Sequence, residues 1–165
     1  MSAQKPTLHM LCGKIAAGKS TLASRLAEAP ATVLVAQDHW MTHLYKDELK
    51  TVPDYIRYSA RLRAAMTGHL QALLAAGLSV VLDFPANTVA MRQWMRGIYT
   101  GAAADHRLHF LDVPDEVCRT RLHARNAAGR HEYVVSDAEF DEITGYFQPP
   151  LPQEGFTIVV HPVNT

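Results

Sequence analysis

The sequence predicts an α/β protein built in three layers, in which a five-stranded parallel sheet carries helices on both faces. Five short apolar or β-branched runs alternate along the chain with segments of helical periodicity, and this is the pattern of parallel strands joined by crossover helices. The chain has 165 residues, of which 48% are hydrophobic. That is enough for one domain with a real core and too little for two, so we expect residues 1–165 to form a single domain.

The predicted strands are short runs rich in Val, Leu and Phe. They cover residues 8–12, 32–36, 78–84, 108–113 and 156–161. The first predicted helix, residues 21–29, follows the first strand after a turn that contains two glycines. Because most of these strands are apolar over nearly their whole length, we expect both faces of the sheet to be covered.

Two amphipathic helices are predicted on either side of the third strand. In residues 54–76 apolar side chains recur at steps of three and four, and Gly77 ends the pattern. Asn87 or Thr88 can cap the next helix, whose apolar stripe consists of Met91, Trp94, Met95 and Ile98. Arg92 and Arg96 lie on its other face and are expected to be free for solvent or ligand.

The last two predicted helices flank a polar gap. Pro114 fits the first turn of a helix that runs to about Arg125, and Ser136 with Glu139 forms a capping box at the start of another. Residues 126–135 between them hold few apolar anchors. We therefore expect a loop in this position, and its content of Gly and Arg suits a lid over a ligand.

Composition excludes several classes of protein. Sixteen Lys and Arg balance sixteen Asp and Glu, so no net field would gather nucleic acid or an anionic membrane. No apolar run approaches the roughly 20 residues that span a bilayer. Cys12 and Cys118 lie in apolar or helical surroundings without metal-ligand spacing, which favours reduced cysteines in a cytoplasmic protein. The sequence does not fix the oligomeric state.

The strongest motif lies between the first strand and the first helix. It matches the pattern G-x-x-x-x-G-K-[ST] of a phosphate-binding loop, the P-loop. Its residues are Gly13, Lys14, Ile15, Ala16, Ala17, Gly18, Lys19 and Ser20, followed by Thr21. Glycines allow several backbone N–H groups to converge on one phosphate, and the helix N-terminus that follows adds its own free amides.

Each polar side chain of the loop has an expected task. Lys19 would place a point charge near the β- and γ-phosphates, and the Ser20 hydroxyl can ligate Mg²⁺. Thr21 would reach the α-phosphate. The Lys14 side chain is expected to face solvent, because the interior of such a loop is made of backbone amides.

Two carboxylates end predicted strands at the edge where open α/β folds bind their ligands. Asp38 follows the second strand, where it would accept a proton from the hydroxyl of an acceptor; the alternative is a carboxylate that caps the next turn. Asp83 ends the apolar run of the third strand, which is the form of a Walker B carboxylate on the Mg²⁺ side.

Phosphoryl transfer also needs cations around the transferred group, and arginines cluster near the predicted lid. Arg121 and Arg125 lie one helical turn apart on one face and are expected to point toward the nucleotide, whereas Arg119 points elsewhere. Arg130 lies within the lid itself. The alternative for any one of them is a solvated helix surface.

The segment after Asp38 contains further candidates. His39 and His43 have spacing compatible with a transition metal, but two residues do not make a site, and we interpret them as surface histidines. Trp40, Tyr45 and Tyr55 are candidates for the wall of an acceptor pocket.

Taken together, these residues resemble a known group. The P-loop, Asp38, Asp83, Arg92 and the Arg121-Arg125 pair ahead of a lid are similar to the small P-loop kinases of the nucleoside and nucleotide kinase type. Among these the chain most resembles the bacterial ATP-binding proteins labelled AAA that are related to zeta toxin and chloramphenicol phosphotransferase. It lacks the Asn-Lys-x-Asp motif of GTPases and the length for the helical lid domain of AAA+ machines.

The resemblance implies roles for individual residues. Asp38 would be the base toward the acceptor, Asp83 a carboxylate on the Mg²⁺ side, and Arg92 a contact to the acceptor or the γ-phosphate. Arg121 or Arg125 would contact the nucleotide. Many relatives continue into a closing helix after the fifth strand, and this chain ends too soon to supply one, so its adenine contacts are not predicted.

The resulting hypothesis is a kinase that uses ATP and Mg²⁺ to phosphorylate a hydroxyl of an unidentified small molecule, with Lys19, Asp38, Arg92, Arg125 and Arg130 as its catalytic residues. A different class, a switch or accessory protein that binds and slowly hydrolyses ATP without an acceptor, is the alternative. A polynucleotide 5′-hydroxyl kinase would share the chemistry, but the zero net charge disfavours it.

Overall fold

The computed structural model describes residues 4–129 and 134–163, and these form an α/β fold with one sheet. The strands are β1 (Thr7–Cys12), β2 (Thr32–Ala36), β3 (Ser79–Pro85), β4 (Asp105–Leu111) and β5 (Ile158–His161). All neighbours pair in parallel in the order β2-β3-β1-β4-β5. The predicted five-stranded parallel sheet is confirmed.

Six helices connect the strands in the described part of the chain. They are α1 (Lys19–Leu26), α2 (Gln37–Tyr45), α3 (Val52–Ala75), α4 (Val89–Gly101), α5 (Asp115–Ala128) and α6 (Asp137–Gly145). A short 3₁₀ turn, Pro152–Glu154, precedes β5. None of these helices combines the length and apolar character that crossing a membrane requires.

The core has two halves, one on each face of the sheet. Leu8 and Met10 of β1 face the side covered by α3 and α4, whereas Leu11 faces the side covered by α1, α5 and α6. This alternation follows from the period of two along a strand. Helices on both faces give the three layers that the sequence predicts.

Local signals set the helix ends. Thr51 caps α3 in a capping box with Asp54, and Ser136 does the same for α6 with Glu139. Helix α5 runs three residues beyond the predicted end at Arg125 and stops at Gly129, which has φ +63°. The first part of the predicted lid is therefore helical. The rest of that prediction falls largely on residues 130–133, which lie outside the described residues.

The topology brings the polar strand ends together. Strand β1 is central, with β3 on one side and β4 on the other, so the chain changes direction around it. In open α/β sheets the crevice at such a switch point binds the ligand. The loop after β1 and the residues that follow β2 and β3 meet at this edge.

Candidate active site

The P-loop joins β1 to α1, and its two glycines are needed for different reasons. Gly18 has φ +107°, a left-handed conformation that glycine adopts without strain. Gly13 has no such angle, but a Cβ there would lie 3.2 Å from the Cβ atoms of both Ala17 and Leu111. Gly18 therefore allows the turn, while Gly13 allows the loop to approach β4 closely.

Asn87 fixes the start of the loop from the neighbouring strand. Its Oδ1 accepts from the backbone N–H of Gly13 at 2.9 Å, and its Nδ2 donates to the Gly13 carbonyl at 2.8 Å. The sequence suggested Asn87 only as a possible helix cap, and Thr88 performs that task by accepting from the Met91 N–H. The sequence signal for this contact was that Asn87 lies just after β3, at the edge where the sheet meets the P-loop.

Lys19 begins α1, and its ammonium turns back into the loop. Nζ donates to the carbonyl oxygens of Gly13 and, at 2.8 Å, of Lys14. Burial lowers the pKa of Lys19, and the carboxylates of Asp83 and Asp38 both oppose this shift. The same ammonium therefore lies within the field of both predicted site carboxylates.

The Lys14 side chain points away from the loop interior, but it does not simply face solvent. Its ammonium pairs with the Asp115 carboxylate and lies 5.6 Å from the centre of the Phe147 ring. As expected, the side chain does not enter the loop interior, but these contacts leave it only 22% exposed. It fastens the loop to the start of α5.

Oxygen ligands suitable for Mg²⁺ meet at the N-terminus of α1. The Ser20 hydroxyl donates to Oδ2 of Asp83 at 3.1 Å. Burial raises the pKa of Asp83, while Ser20 and Lys19 favour its charged form. One hydroxyl and one carboxylate suit Mg²⁺, which keeps several waters and takes further ligands from substrate phosphates. In residues 4–129 and 134–163 no three His, Cys, Asp or Glu side chains form a metal-binding group.

Asp38 lies in the first turn of α2, exposed and held by a tyrosine. The Tyr55 hydroxyl donates to Oδ1 of Asp38 at 3.2 Å, and Nε2 of buried Gln37 donates to the same hydroxyl. Of the three predicted wall residues, Tyr55 is thus the one bonded to the carboxylate. Trp40 is 39% exposed, and the Tyr45 ring lies tilted against the Tyr58 ring at the margin of the core, with 4.7 Å between their centres.

The two histidines after Asp38 are surface residues, as interpreted from the sequence. The rings of His39 and His43 lie 4.3 Å apart, and Nδ1 of His43 is 2.7 Å from the His39 carbonyl. No further metal ligand joins them among the described residues. The spacing therefore reflects one turn of α2.

Arginines from α5 reach a cleft of about 590 Å³ beside the P-loop. Arg121 lines it and donates to the Ala17 carbonyl at 3.2 Å. Arg125 lines it too, and its buried Nε has no hydrogen-bond partner in the described chain. Burial lowers the pKa of Arg125, and the charge of Asp38 opposes this shift.

The other two arginines near the predicted lid differ in position. Arg119 points away from the cleft, as expected, and pairs with Asp141 at 2.8 Å and Asp137 at 3.7 Å. Arg130 lies outside the described residues. In the described structure the cleft therefore takes its positive charge from Arg121 and Arg125 of α5 and from Arg25 of α1, which the sequence analysis did not single out.

Arg92 corrects a prediction. The sequence pattern left it free for solvent or ligand, but it is completely buried. Its guanidinium pairs with Glu154 at 2.8 Å and donates to the carbonyl oxygens of Ala86 and Gln148 at 2.9 and 2.8 Å. The 3₁₀ turn at Pro152–Glu154 covers the helix face that the periodicity predicted to be open. Arg92 therefore ties this turn to the end of β3.

A row of three histidines crosses the sheet beneath the cleft. Nδ1 of His9 lies 2.9 Å from Nε2 of His109, and Nδ1 of His109 lies 2.9 Å from Nε2 of His161. His161 lines the cleft, together with Pro162 and Val163. The sequence analysis missed this row because its members are 52 and 100 residues apart.

Comparison with known proteins agrees with the fold. The family model described as an AAA domain matches residues 8–150. A search of curated proteins found no match. Among solved structures, a candidate kinase from Chloroflexus aurantiacus j-10-fl is similar with TM-score 0.74 and 21% identity, covering 98% of this chain and 87% of its own.

Two further similar structures contain nucleotide ligands. APS kinase CysC of Mycobacterium tuberculosis, in complex with AMPPNP and APS, has TM-score 0.61 and 19% identity, covering 94% of this chain and 88% of its own. Kti12 of Chaetomium thermophilum, in complex with ADP-AlF3, has TM-score 0.67 and 14% identity, covering 94% of this chain and 89% of its own. The fold of this chain is therefore that of the P-loop kinases.

Proposed function

Because this chain belongs to the AAA-domain family whose model matches residues 8–150, we propose that it is an ATP-dependent phosphotransferase. Its substrate would be a small molecule with a hydroxyl group, which receives the γ-phosphoryl group of ATP. The kinase-like fold and the P-loop geometry support nucleotide binding, and the residues opposite the loop support an acceptor.

One observation carries the choice of a kinase over a switch. Asp38 is exposed at the carboxyl edge of the sheet, is oriented by Tyr55, and lies within the electrostatic range of Lys19 and Arg125. An exposed carboxylate within the electrostatic field of the cations that would hold a γ-phosphate suits the orientation and deprotonation of a hydroxyl nucleophile. A switch that binds ATP has no need of a base in this position.

The proposed reaction is an in-line displacement. The acceptor hydroxyl oxygen forms a bond to the γ-phosphorus, and the bond from that phosphorus to the bridging oxygen breaks, leaving its electron pair on ADP. Asp38 takes the hydroxyl proton. The P-loop amides, Lys19 and Arg125 stabilise the charge on the transferred group.

Magnesium fits the residues that are present. Ser20 and Asp83 would hold it, and when bound it neutralises charge on the β- and γ-phosphates. Neither residue needs to move far for this, since their oxygens already lie 3.1 Å apart.

The test begins with binding. Calorimetric titration with a non-hydrolysable ATP analogue and Mg²⁺ should give saturable binding that Lys19→Ala weakens at least about tenfold, since a charge-assisted contact is lost. Lys5→Ala is the control and should bind normally, because Lys5 is an exposed lysine that pairs with Asp105 and lies outside the P-loop.

Turnover then separates the two classes of function. ADP release measured with pooled hydroxyl-bearing metabolites should rise in certain pools only, and Asp38→Asn should remove that increase while leaving analogue binding intact. Turnover that ignores every pool would favour the switch. Absence of any nucleotide binding would contradict both.

A further inference from the structure

A groove of about 430 Å³ lies between α3 and α4, apart from the nucleotide cleft. It is lined by small and apolar side chains and by one charged residue. These include Ala60, Ala64, Ala90, Met91, Trp94 and Arg63. Thr88 also borders it, directly after the Asn87 that holds Gly13. The groove therefore starts beside the P-loop at the carboxyl edge of the sheet.

A polar ladder on α3 connects the groove to Asp38. Tyr55, Ser59, Arg63 and Thr67 follow each other at four-residue steps, which places them along one side of the helix. Tyr55 donates to Asp38 at 3.2 Å, and Nη1 of Arg63 donates to the Ser59 hydroxyl at 3.3 Å. Helical side chains lean toward the N-terminus, so Arg63 reaches back toward the proposed base.

The charge of Arg63 is only weakly satisfied by the fold. Burial lowers its pKa, with the Tyr55 phenol opposing. Of its five N–H donors, the bond to Ser59 is the one that the structure gives, and it forms no ion pair with a carboxylate in the described ranges. Arg92, by contrast, has Glu154 and two carbonyl oxygens. A partly desolvated guanidinium of this kind gains most from an anionic ligand.

The remaining walls of the groove suit a small organic body. The Trp94 indole N–H donates to the Thr67 hydroxyl at 2.9 Å, which fixes the ring, and Met91 lies one turn before it. Ala90 lies in the first turn of α4, where the positive end of the helix dipole adds to the charge of Arg63.

We propose that this groove binds the acceptor, and that Arg63 binds an oxyanion group on it, a carboxylate, phosphate or sulfate. This rests on the proposed function: the hydroxyl of the same molecule lies at Asp38. Tyr55 and Arg63 are about two helical turns apart, which is about 12 Å along α3. The Arg63 side chain shortens this distance by about one turn, because it extends toward Ser59. The acceptor is thus a small hydroxy compound that carries a negative charge.

The first experiment measures anion binding without turnover. Trp94 is one of two tryptophans, so Trp40→Phe leaves it as the single indole reporter. With the P-loop occupied by the ATP analogue and Mg²⁺, inorganic phosphate, sulfate and acetate are titrated separately. At least one should change Trp94 fluorescence saturably, and comparison of the three identifies the preferred oxyanion.

Variants of two arginines on α3 test whether Arg63 causes the fluorescence response. Arg63→Gln should weaken the response at least tenfold, and Arg63→Lys should retain part of it. Arg61→Gln is the control, since Arg61 is exposed on the other side of α3 against the Tyr58 ring, and it should change nothing. Thermal unfolding of each variant verifies that it is folded.

A second experiment compares charged and neutral acceptors in the turnover assay. Hydroxy acids and sugar phosphates should be preferred to the matching polyols and sugars, and Arg63→Gln should raise their KM at least tenfold with a smaller change in kcat. The inference is overturned if no anion response depends on Arg63, if Arg61→Gln has the same effect, or if neutral acceptors are preferred. Acceptor-dependent turnover that still requires Lys19 and Asp38 would then show that the proposed function survives without it.

Discussion

At the scale of single residues, Asp83 is held in a place that disfavours its charge. Burial raises its pKa, and the Ser20 hydroxyl and the Lys19 ammonium only partly offset this effect. A carboxyl whose pKa is higher in the folded chain than in the unfolded chain destabilises the fold when it is ionised at neutral pH. We therefore infer that Asp83 serves ligand binding rather than folding.

Replacing this carboxylate should separate binding from stability. In Asp83→Asn the Mg²⁺-dependent part of the affinity for the ATP analogue should fall at least tenfold, because a metal-side oxygen charge is lost. The unfolding midpoint without ligand should stay level or rise by about 1–3 °C, because a buried charge is removed. Thermal unfolding with and without analogue and Mg²⁺ measures both.

The exposed Asp105, which pairs with Lys5 far from the loop, provides the control for that experiment. Asp105→Asn should leave the Mg²⁺ dependence unchanged. A lower midpoint for Asp83→Asn together with normal Mg²⁺ dependence would mean that Asp83 serves the fold instead.

At the scale of elements, strands β1, β4 and β5 share one polar row within an otherwise apolar sheet. His9 lies two residues before Leu11 and His109 two residues before Leu111, so both face the α1 and α5 side, and His161 joins them from β5. Burial, followed by the charges of the nearby His9, His161 and Arg107, lowers the pKa of His109 to about 4. The row is thus neutral at pH 7.

This row predicts a loss of stability in mild acid. The folded pKa of His109, about 4, is below the value of 6.5 in an unfolded chain, so the unfolded state binds more protons between those pH values. Stability is therefore present at pH 7 and falls as the pH drops below about 6.5, by as much as about 3 kcal/mol. Urea unfolding at pH 7 and pH 5 measures the part lost in that window.

His109→Gln is the matched variant, because its amide can both donate and accept but does not titrate. Its unfolding free energy should depend less on pH over the same window than that of the parent chain. An unchanged slope would assign the acid sensitivity to other groups.

At the scale of the whole molecule, the sequence predicted those features that depend on residues close together along the chain. The strands follow from apolar runs, the P-loop from eight consecutive residues, and the directions of Arg119 and Arg121 from helical spacing. Arg92 was misjudged because the face it occupies is covered by Glu154, 62 residues further along the chain. Asn87 and the histidine row likewise depend on contacts between distant segments, which no local period records.

The charge balance of the whole chain predicts weak binding to nucleic acid. With a formal net charge of zero, the protein should bind a 5′-hydroxyl oligonucleotide more weakly than about 100 µM at physiological salt, and with little dependence on salt. Fluorescence anisotropy across a salt series tests this. Tight binding that weakens steeply with salt would favour the polynucleotide kinase instead.

The histidine row also has a direction. A neutral imidazole carries one proton, so if the central ring donates to one neighbour it must accept from the other, and both bonds point the same way along the row. Two arrangements exist, related by moving one proton within each ring, and the heavy atoms stay in place. If His109 donates to His161, Nδ1 of His161 carries a proton; if His109 donates to His9, Nδ1 of His161 carries a lone pair. Whether His161 offers a proton or a lone pair to the nucleotide cleft is therefore decided jointly with His9, two strands away.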